Sequence, residues 1–425
     1  MLKTKNLTYT SFVNKKTFLL LLIVLLTFVN ASAQTLGFRF INDKKKLRIP
    51  FELYNNLIVV PVILNNQLPL KFILDTGVRT TILTEKAYTD ILNLSYSRKY
   101  TIAGIGDQAD EGIEAYITNG VSLTLPGLKG TGHAMLVLEE DYLELRNYLG
   151  TDVHGVLGYE IFSRFVVKVD YDNKILMLTT PEHFHPSRKY DELELSIEDT
   201  KPYLTGTIKY ENQEPVSLKL MVDSGASHGL LLDTKSDDNI FIPENNIRTN
   251  LGRGLAGDMY GKIARIEKFE LGKRSWKNPL ATFPEGNDLL DSLKGSNVFR
   301  NGSIGGGILT RFKVIFDFPE EKIYLKKGRK FKSDFTYNLS GIIVKAKGSR
   351  LNTFEIVEIR PGSAADNAGF LVGDLILSID NIEKSRLNLE LINGMLNSKV
   401  NKKIRIEVAR GQVHYSARFR LRSQI

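Results

Sequence analysis

The chain has 425 residues, no cysteine, and a net charge of +9 from 57 Lys and Arg against 48 Asp and Glu. The lack of cysteine excludes disulfides, thiol nucleophiles and a lipid on an N-terminal Cys. Basic residues are dispersed among alternating strands, apart from KKK at 44–46 and KKGRKFK at 326–332, so no aromatic-interleaved basic face for nucleic acid is expected.

In chain order, Lys3, Lys5, Lys15 and Lys16 precede the apolar run TFLLLLIVLLTFV (17–29) and the small residues ASA (31–33). This pattern predicts a signal peptide over 1–33 and a periplasmic or secreted protein with no stable membrane anchor after cleavage. An uncleaved anchor is the alternative, although the run is short for a span. The remainder is long enough for roughly two to four domains.

Strand patterns then dominate: LIVVPVILN (57–65), LKFIL (70–74), RFVVKVDY (164–171) and KILMLT (174–179) are β-branched or alternating, and Gly, Asn and Pro separate them. Few helices are expected before residue 360. An internal repeat is visible. NQLPLKFILDTG parallels NQEPVSLKLMVDSG, and GVLGYEIFSRFVVKVD (155–170) aligns without gaps on GSIGGGILTRFKVIFD (302–317). Asp75 to Gly155 and Asp223 to Gly302 span almost the same distance, so two similar β lobes are expected, 36–187 and 188–331, related by an approximate two-fold axis. That symmetry brings Asp75 and Asp223 face to face.

An apolar strand ending in Asp-Thr/Ser-Gly, followed later by VLG (156–158) or SIG (303–305), resembles the aspartic proteases of the pepsin and retropepsin group. The resemblance covers both lobes and implies a mainly β fold of duplicated six-stranded-type acid protease lobes. It also implies that Asp75 and Asp223 are the catalytic dyad of an endopeptidase, and that Thr76 and Ser224 brace the two loops against each other. Gly77 and Gly225 let the backbone turn tightly behind each carboxylate. Two adjacent carboxylates share one proton: the ionised member takes a proton from water and the protonated member donates to the scissile carbonyl. This chemistry needs no cofactor and no metal, and its substrates are polypeptides lying extended in the interlobe cleft. One departure is Val78, where the family usually carries a small Ala, Ser or Thr; Ala226 in the second copy is typical. The Gly-rich turns AGIGDQADEG (103–112) and GRGLAGDMYG (252–261) are expected as flaps over the cleft. The alternative to the enzyme is a peptide-binding scaffold of the same fold that does not cleave.

After residue 336 the pattern changes. GIIVKA (341–346) is a strand, and EIRPGSAADNAGFLVGDLILSIDNIE (358–383) resembles the central segment of a PDZ domain, which implies an α+β module over 336–425. Ser363 is placed to cap a short helix and Gly369 to end it. Leu387, Leu391, Ile392, Met395 and Leu396 have helical spacing, and IRIEVARGQVHYSARFRL (404–421) reads as a closing hairpin. By the resemblance, Ser340, Gly341, Ile342 and Ile343 offer free backbone N–H groups to a peptide C-terminus, which adds a strand beside 342–344. A PDZ fold used only for internal packing is the alternative. GRGLAG (252–257) matches GxGxxG but lacks a βαβ context, HFH (183–185) lacks partner ligands, and His228 reads as a lobe residue rather than a base.

Overall fold

The computed structural model describes residues 36–42, 44–102, 112–254, 257–285 and 298–425. The expected signal peptide and most of the first expected flap, 103–111, lie outside them. Among the described residues the chain is mainly β, with helices of eight residues or fewer. No helix among them is long and apolar enough to cross a membrane.

The repeat read in the sequence reappears as repeated topology. In the first copy, strand Leu57–Leu64 pairs antiparallel with Leu68–Leu74, which pairs parallel with Gly155–Leu157. That last strand is antiparallel to Thr81–Leu83, which runs parallel to Leu128–Leu138. In the second copy, Lys201–Lys209, Val216–Val222, Gly302–Ile304, Leu230–Leu232 and Leu280–Pro284 repeat every one of these pairings with the same sense. Both Asp turns therefore leave the end of a central strand flanked on each side. The alternation LKFIL and LKLMV buries one face of each strand in a common apolar core, to which Phe72, Leu74, Leu220 and Val222 belong.

A six-stranded sheet joins the copies: Lys46–Pro50, Val166–Asp170 and Ile175–Thr179 from the first, Asp191–Glu194, Phe312–Asp317 and Lys322–Lys327 from the second. Val166–Asp170 and Phe312–Asp317 pair antiparallel, with Lys168 opposite Ile315. These two residues are counterparts in the gapless repeat alignment, so the two-fold axis passes through their pair. Phe162, Phe316 and Phe318 pack ring on ring beneath this junction.

The C-terminal module has its own core of Ile342, Val344, Phe354, Ile356, Ile376, Ile392, Ile404 and Val408, among others. Its sheet runs from the edge strand Ile342–Lys347 through Thr353–Ile359, Leu375–Ile379 and Lys403–Arg410 to Val413–Arg420. The expected helix forms over Leu389–Leu396, and the Asn388 side chain accepts a bond from the Leu391 amide to cap it. The short helix expected after Ser363 does not form. Residues 361–369 run through successive turns, although Ser363 Oγ does accept the Asp366 amide at 3.2 Å and Gly369 has φ of 81°. GRGLAG falls within a β-hairpin, Asn246–Gly254 and Gly257–Arg265, whose residues 255 and 256 lie outside the described ones.

Candidate active site

Asp75 and Asp223 each follow the last residue of their strand, and each amide is held by the neighbouring short strand. Asp75 N donates to Leu157 O at 2.8 Å and Asp223 N to Ile304 O at 2.9 Å. Directly behind them the two copies interlock. Thr76 N donates to Ser224 Oγ at 3.1 Å and Ser224 N to Thr76 Oγ1 at 3.0 Å. Each hydroxyl then donates onward across the axis, Thr76 Oγ1 to Val222 O at 2.6 Å and Ser224 Oγ to Leu74 O at 2.9 Å. Both side chains are fully buried, so these four bonds have no water to compete with them.

The carboxyl groups converge in front of this lock: a Cβ placed on Gly77 would lie 3.2 Å from Asp75 Oδ1 and 3.7 Å from Asp223 Oδ1. Gly77 N donates to Asp75 Oδ1 at 2.6 Å, and Gly225 N to Asp223 Oδ1 at 3.0 Å. Enclosure by protein, and secondly the nearby Asp223 charge, push the Asp75 carboxyl well above the usual carboxylate range. The glycine at 225 is a steric requirement: a Cβ there falls 2.2 Å from Asp75 Cγ, whereas one at Gly77 comes no nearer than 3.2 Å to Asp75 Oδ1. The glycines of VLG and SIG have the same origin. A Cβ on Gly158 falls 2.2 Å from Asp75 O, and one on Gly305 2.6 Å from His228 O.

Val78 has a place of its own. Its carbonyl accepts the Tyr159 amide at 2.9 Å, as Ala226 O accepts Gly306 N at 2.7 Å, and its side chain packs on a buried cluster containing Leu57, Ile73 and Leu149. His228 stands beside Asp223 with Nε2 2.9 Å from Ser303 Oγ, and burial lowers its pKa to about 4.

Residues 60–161 match the family model described as aspartyl protease, and residues 355–410 match the one described as PDZ domain. The chain carries an aspartyl protease domain and a PDZ domain. The protease match covers the first copy; the second Asp turn enters through the internal repeat. No curated protein matches the chain significantly.

At the PDZ site the geometry differs from expectation. The N–H groups of Ser340 and Gly341 donate to Asn338 Oδ1 at 3.1 and 3.0 Å, and Ile342 N donates to Ser340 Oγ at 3.0 Å. Ser340, Gly341 and Ile342 are buried, so the loop expected to present free amides satisfies three of them internally. Gly341, with φ of 85°, leaves no room for a Cβ against Ser363. The free edge of Ile342–Lys347 is also engaged. The short protease helix Leu145–Leu149 lies against it, with Asn147 Nδ2 donating to Ala346 O at 2.9 Å and Glu144 pairing with Lys345 at 2.8 Å. Gly150 abuts Leu389, the first residue of the PDZ helix, so residues 144–150 touch both that end of the helix and the Lys345–Ala346 end of the edge strand. The same segment holds the 246–265 hairpin: Arg253 donates to Tyr142 O at 2.9 Å and pairs with Glu144 at 3.3 Å, and Tyr148 donates to Asp258 at 2.7 Å.

Sequence reasoning passed over Arg300, Lys201, Asn338 and the 144–150 segment. For Arg300 a signal existed: the repeat alignment sets it opposite Val153, a charge in one copy where the other has a valine.

Proposed function

We propose that the protein is an aspartic endopeptidase in which Asp75 and Asp223 share one proton and activate a water between them. The observation that carries this reading is the convergence of the two carboxyls in front of the symmetric Thr76–Ser224 lock. Asp75 holds the proton and donates it to the scissile carbonyl oxygen. Asp223 takes a proton from the water as its oxygen attacks the carbonyl carbon. The resulting gem-diol collapses as Asp223 passes the proton it took from water to the leaving nitrogen and one gem-diol hydroxyl returns its proton to Asp75. The C–N bond breaks, a carboxyl and an amine are released, and the pair again holds one proton. Thr76, Gly77, Ser224 and Gly225 act by positioning, since their bonds fix where the carboxyl oxygens lie. Val78, the departure from the family pattern, keeps the backbone bond that Ala226 makes and gains apolar contacts, so it gives no reason to set catalysis aside.

The first 33 residues export the chain to the periplasm or beyond the cell on this reading. The PDZ domain binds an extended peptide along Ile342–Lys347. A peptide C-terminus reaches the Ser340 and Gly341 amides only by displacing Asn338 and the Ile342 amide only by displacing Ser340 Oγ, and the peptide backbone competes with residues 144–150. Ligand binding at the PDZ domain and the position of a segment that touches both Val78's cluster and the 246–265 hairpin are thereby linked.

The test is hydrolysis of denatured protein and of short peptides across a pH series by the parent, Asp75→Asn and Asp223→Asn. Either substitution is expected to abolish turnover while near-ultraviolet circular dichroism is preserved. Parent-level turnover in either variant refutes the shared dyad, and an inactive parent under every condition returns the scaffold reading.

A further inference from the structure

The two-fold relation gives each residue around Asp75 a counterpart around Asp223, and the two surroundings differ in kind. Beside Asp75, Leu57, Val59, Ile73, Val153 and Val156 form a buried apolar cluster. Val59 pairs with Ile73 as Tyr203 pairs with Met221, and Val156 lies beside Ile73 as Ser303 lies beside Met221. The counterparts of the five are therefore Lys201, Tyr203, Met221, Arg300 and Ser303. Two hydrocarbon positions have become cations.

Their setting is not that of ordinary surface charges. Arg300 is only 6% exposed. Its Nη1 rests on Met221 Sδ at 2.9 Å, its Nε has no hydrogen-bond partner, and it makes no ion pair among the described residues. Lys201 is half-buried, and also makes no ion pair among the described residues. Met221 reaches the carboxyl pair, since a Cβ placed on Gly77 would lie 3.7 Å from both Met221 Cε and Asp223 Oδ1, so Arg300, resting on Met221 Sδ, stands close to it. Carrying the Tyr203–Met221 register two residues further sets Lys201 beside Asp223. Arg79 adds a third cation, 3.6 Å from Asp199 in the turn that leads into Lys201. Burial, chiefly, lowers the pKa of both Arg300 and Lys201, and each also feels the charge of the other or of Asp223. A buried guanidinium with an unpaired donor is costly, and a ligand carboxylate removes that cost.

We propose that Lys201 and Arg300 form a carboxylate-binding subsite beside Asp223 that selects polypeptides bearing an acidic group next to the bond to be cut. The proposal rests on the endopeptidase reading. A guanidinium receives a carboxylate through two parallel N–H bonds, and the Lys201 ammonium supplies a second charge. The acidic group is an Asp or Glu side chain or a free chain end, which share this chemistry.

The experiment uses the full chain and acetylated, amidated peptides that differ only in Glu, Gln or Leu at one position, walked across both sides of the cleavage point. At one position kcat/KM is expected to be about tenfold or more higher for Glu than for Gln, the scale of one charge-assisted bond. Arg300→Met should bring that ratio to about one, and Lys201→Met, at a more exposed site, should reduce it. Equal kcat/KM for Glu and Gln in the parent, together with no preference for a free C-terminal carboxylate, overturns the subsite, as does a ratio that survives both substitutions while only the pH profile moves. A second set carries Gln throughout and a free C-terminal carboxylate; preference confined to that set supports the subsite and assigns the chain end as its ligand. If the parent cleaves no peptide, the endopeptidase reading has failed. The subsite is then judged by calorimetric binding of the Glu and Gln peptides to parent and Arg300→Met, and equal binding overturns it.

Discussion

Ser224→Ala tests whether the lock behind the carboxyls holds the two copies together. The substitution deletes two hydrogen bonds, Thr76 N to Ser224 Oγ and Ser224 Oγ to Leu74 O. It leaves the Thr76 amide and the Leu74 carbonyl without partners where Thr76 is 0% and Leu74 1% exposed. Each buried group left unpaired costs about 1–3 kcal/mol, so a total loss of about 2–6 kcal/mol is expected. Thr76→Ser is the control: it keeps both bonds made by the hydroxyl and loses one methyl, worth about 1 kcal/mol. The single tryptophan, Trp276, is buried against Phe269, Phe312 and Phe331 and reports native packing of the second copy by fluorescence. Because the buried apolar residues of both copies form one continuous core, a break at the lock should register there. In urea, with a slope of about 3 kcal/mol per molar, a loss of ~4 kcal/mol moves the midpoint down by roughly 1 M. A midpoint shift no larger than that of Thr76→Ser refutes the argument, because the lock bonds then contribute no more than a methyl group.

Two further outcomes follow from the same geometry. Burial and the Asp223 charge raise the Asp75 pKa in the folded state, so the native protein keeps a proton that the unfolded chain releases above its ordinary value of 3.8. Stability therefore falls as pH rises from 3.8 to the raised folded value and is level beyond it. Asp75→Asn removes this loss, so the variant should gain stability over the parent through that window in denaturant titrations, with the difference closing below pH 3.8; a difference independent of pH contradicts it. At the PDZ edge, Asn147→Ala combined with Glu144→Gln removes the bond to Ala346 O and the ion pair to Lys345. The double variant should bind extended peptides more tightly by fluorescence anisotropy, by roughly fivefold if about 1 kcal/mol of competing contact is lost; unchanged affinity shows that 144–150 does not compete.

The local pattern of the chain already contained much of this. Two Asp-hydroxyl-Gly turns at the ends of alternating apolar strands, each followed at matched distance by an apolar-Gly segment, specify two like β units. Strand alternation and glycine placement are local properties. Gly158 and Gly305 are legible in the same way, since each stands where a side chain has no room. The PDZ segment was readable for the helix over Leu389–Leu396 and the closing hairpin, though its Asn388 cap was not foreseen and the short helix after Ser363 gave way to turns. What a one-dimensional pattern cannot carry is which groups from distant segments satisfy one another. Asn338 takes the amides that the PDZ resemblance leaves open, and residues 144–150 take the edge strand, because buried or edge backbone groups pair with whatever the tertiary packing brings closest. Arg300 was visible as a letter opposite Val153. Its meaning came only from the folded chain, which closes protein around its guanidinium beside Asp223 and leaves its Nε without a partner.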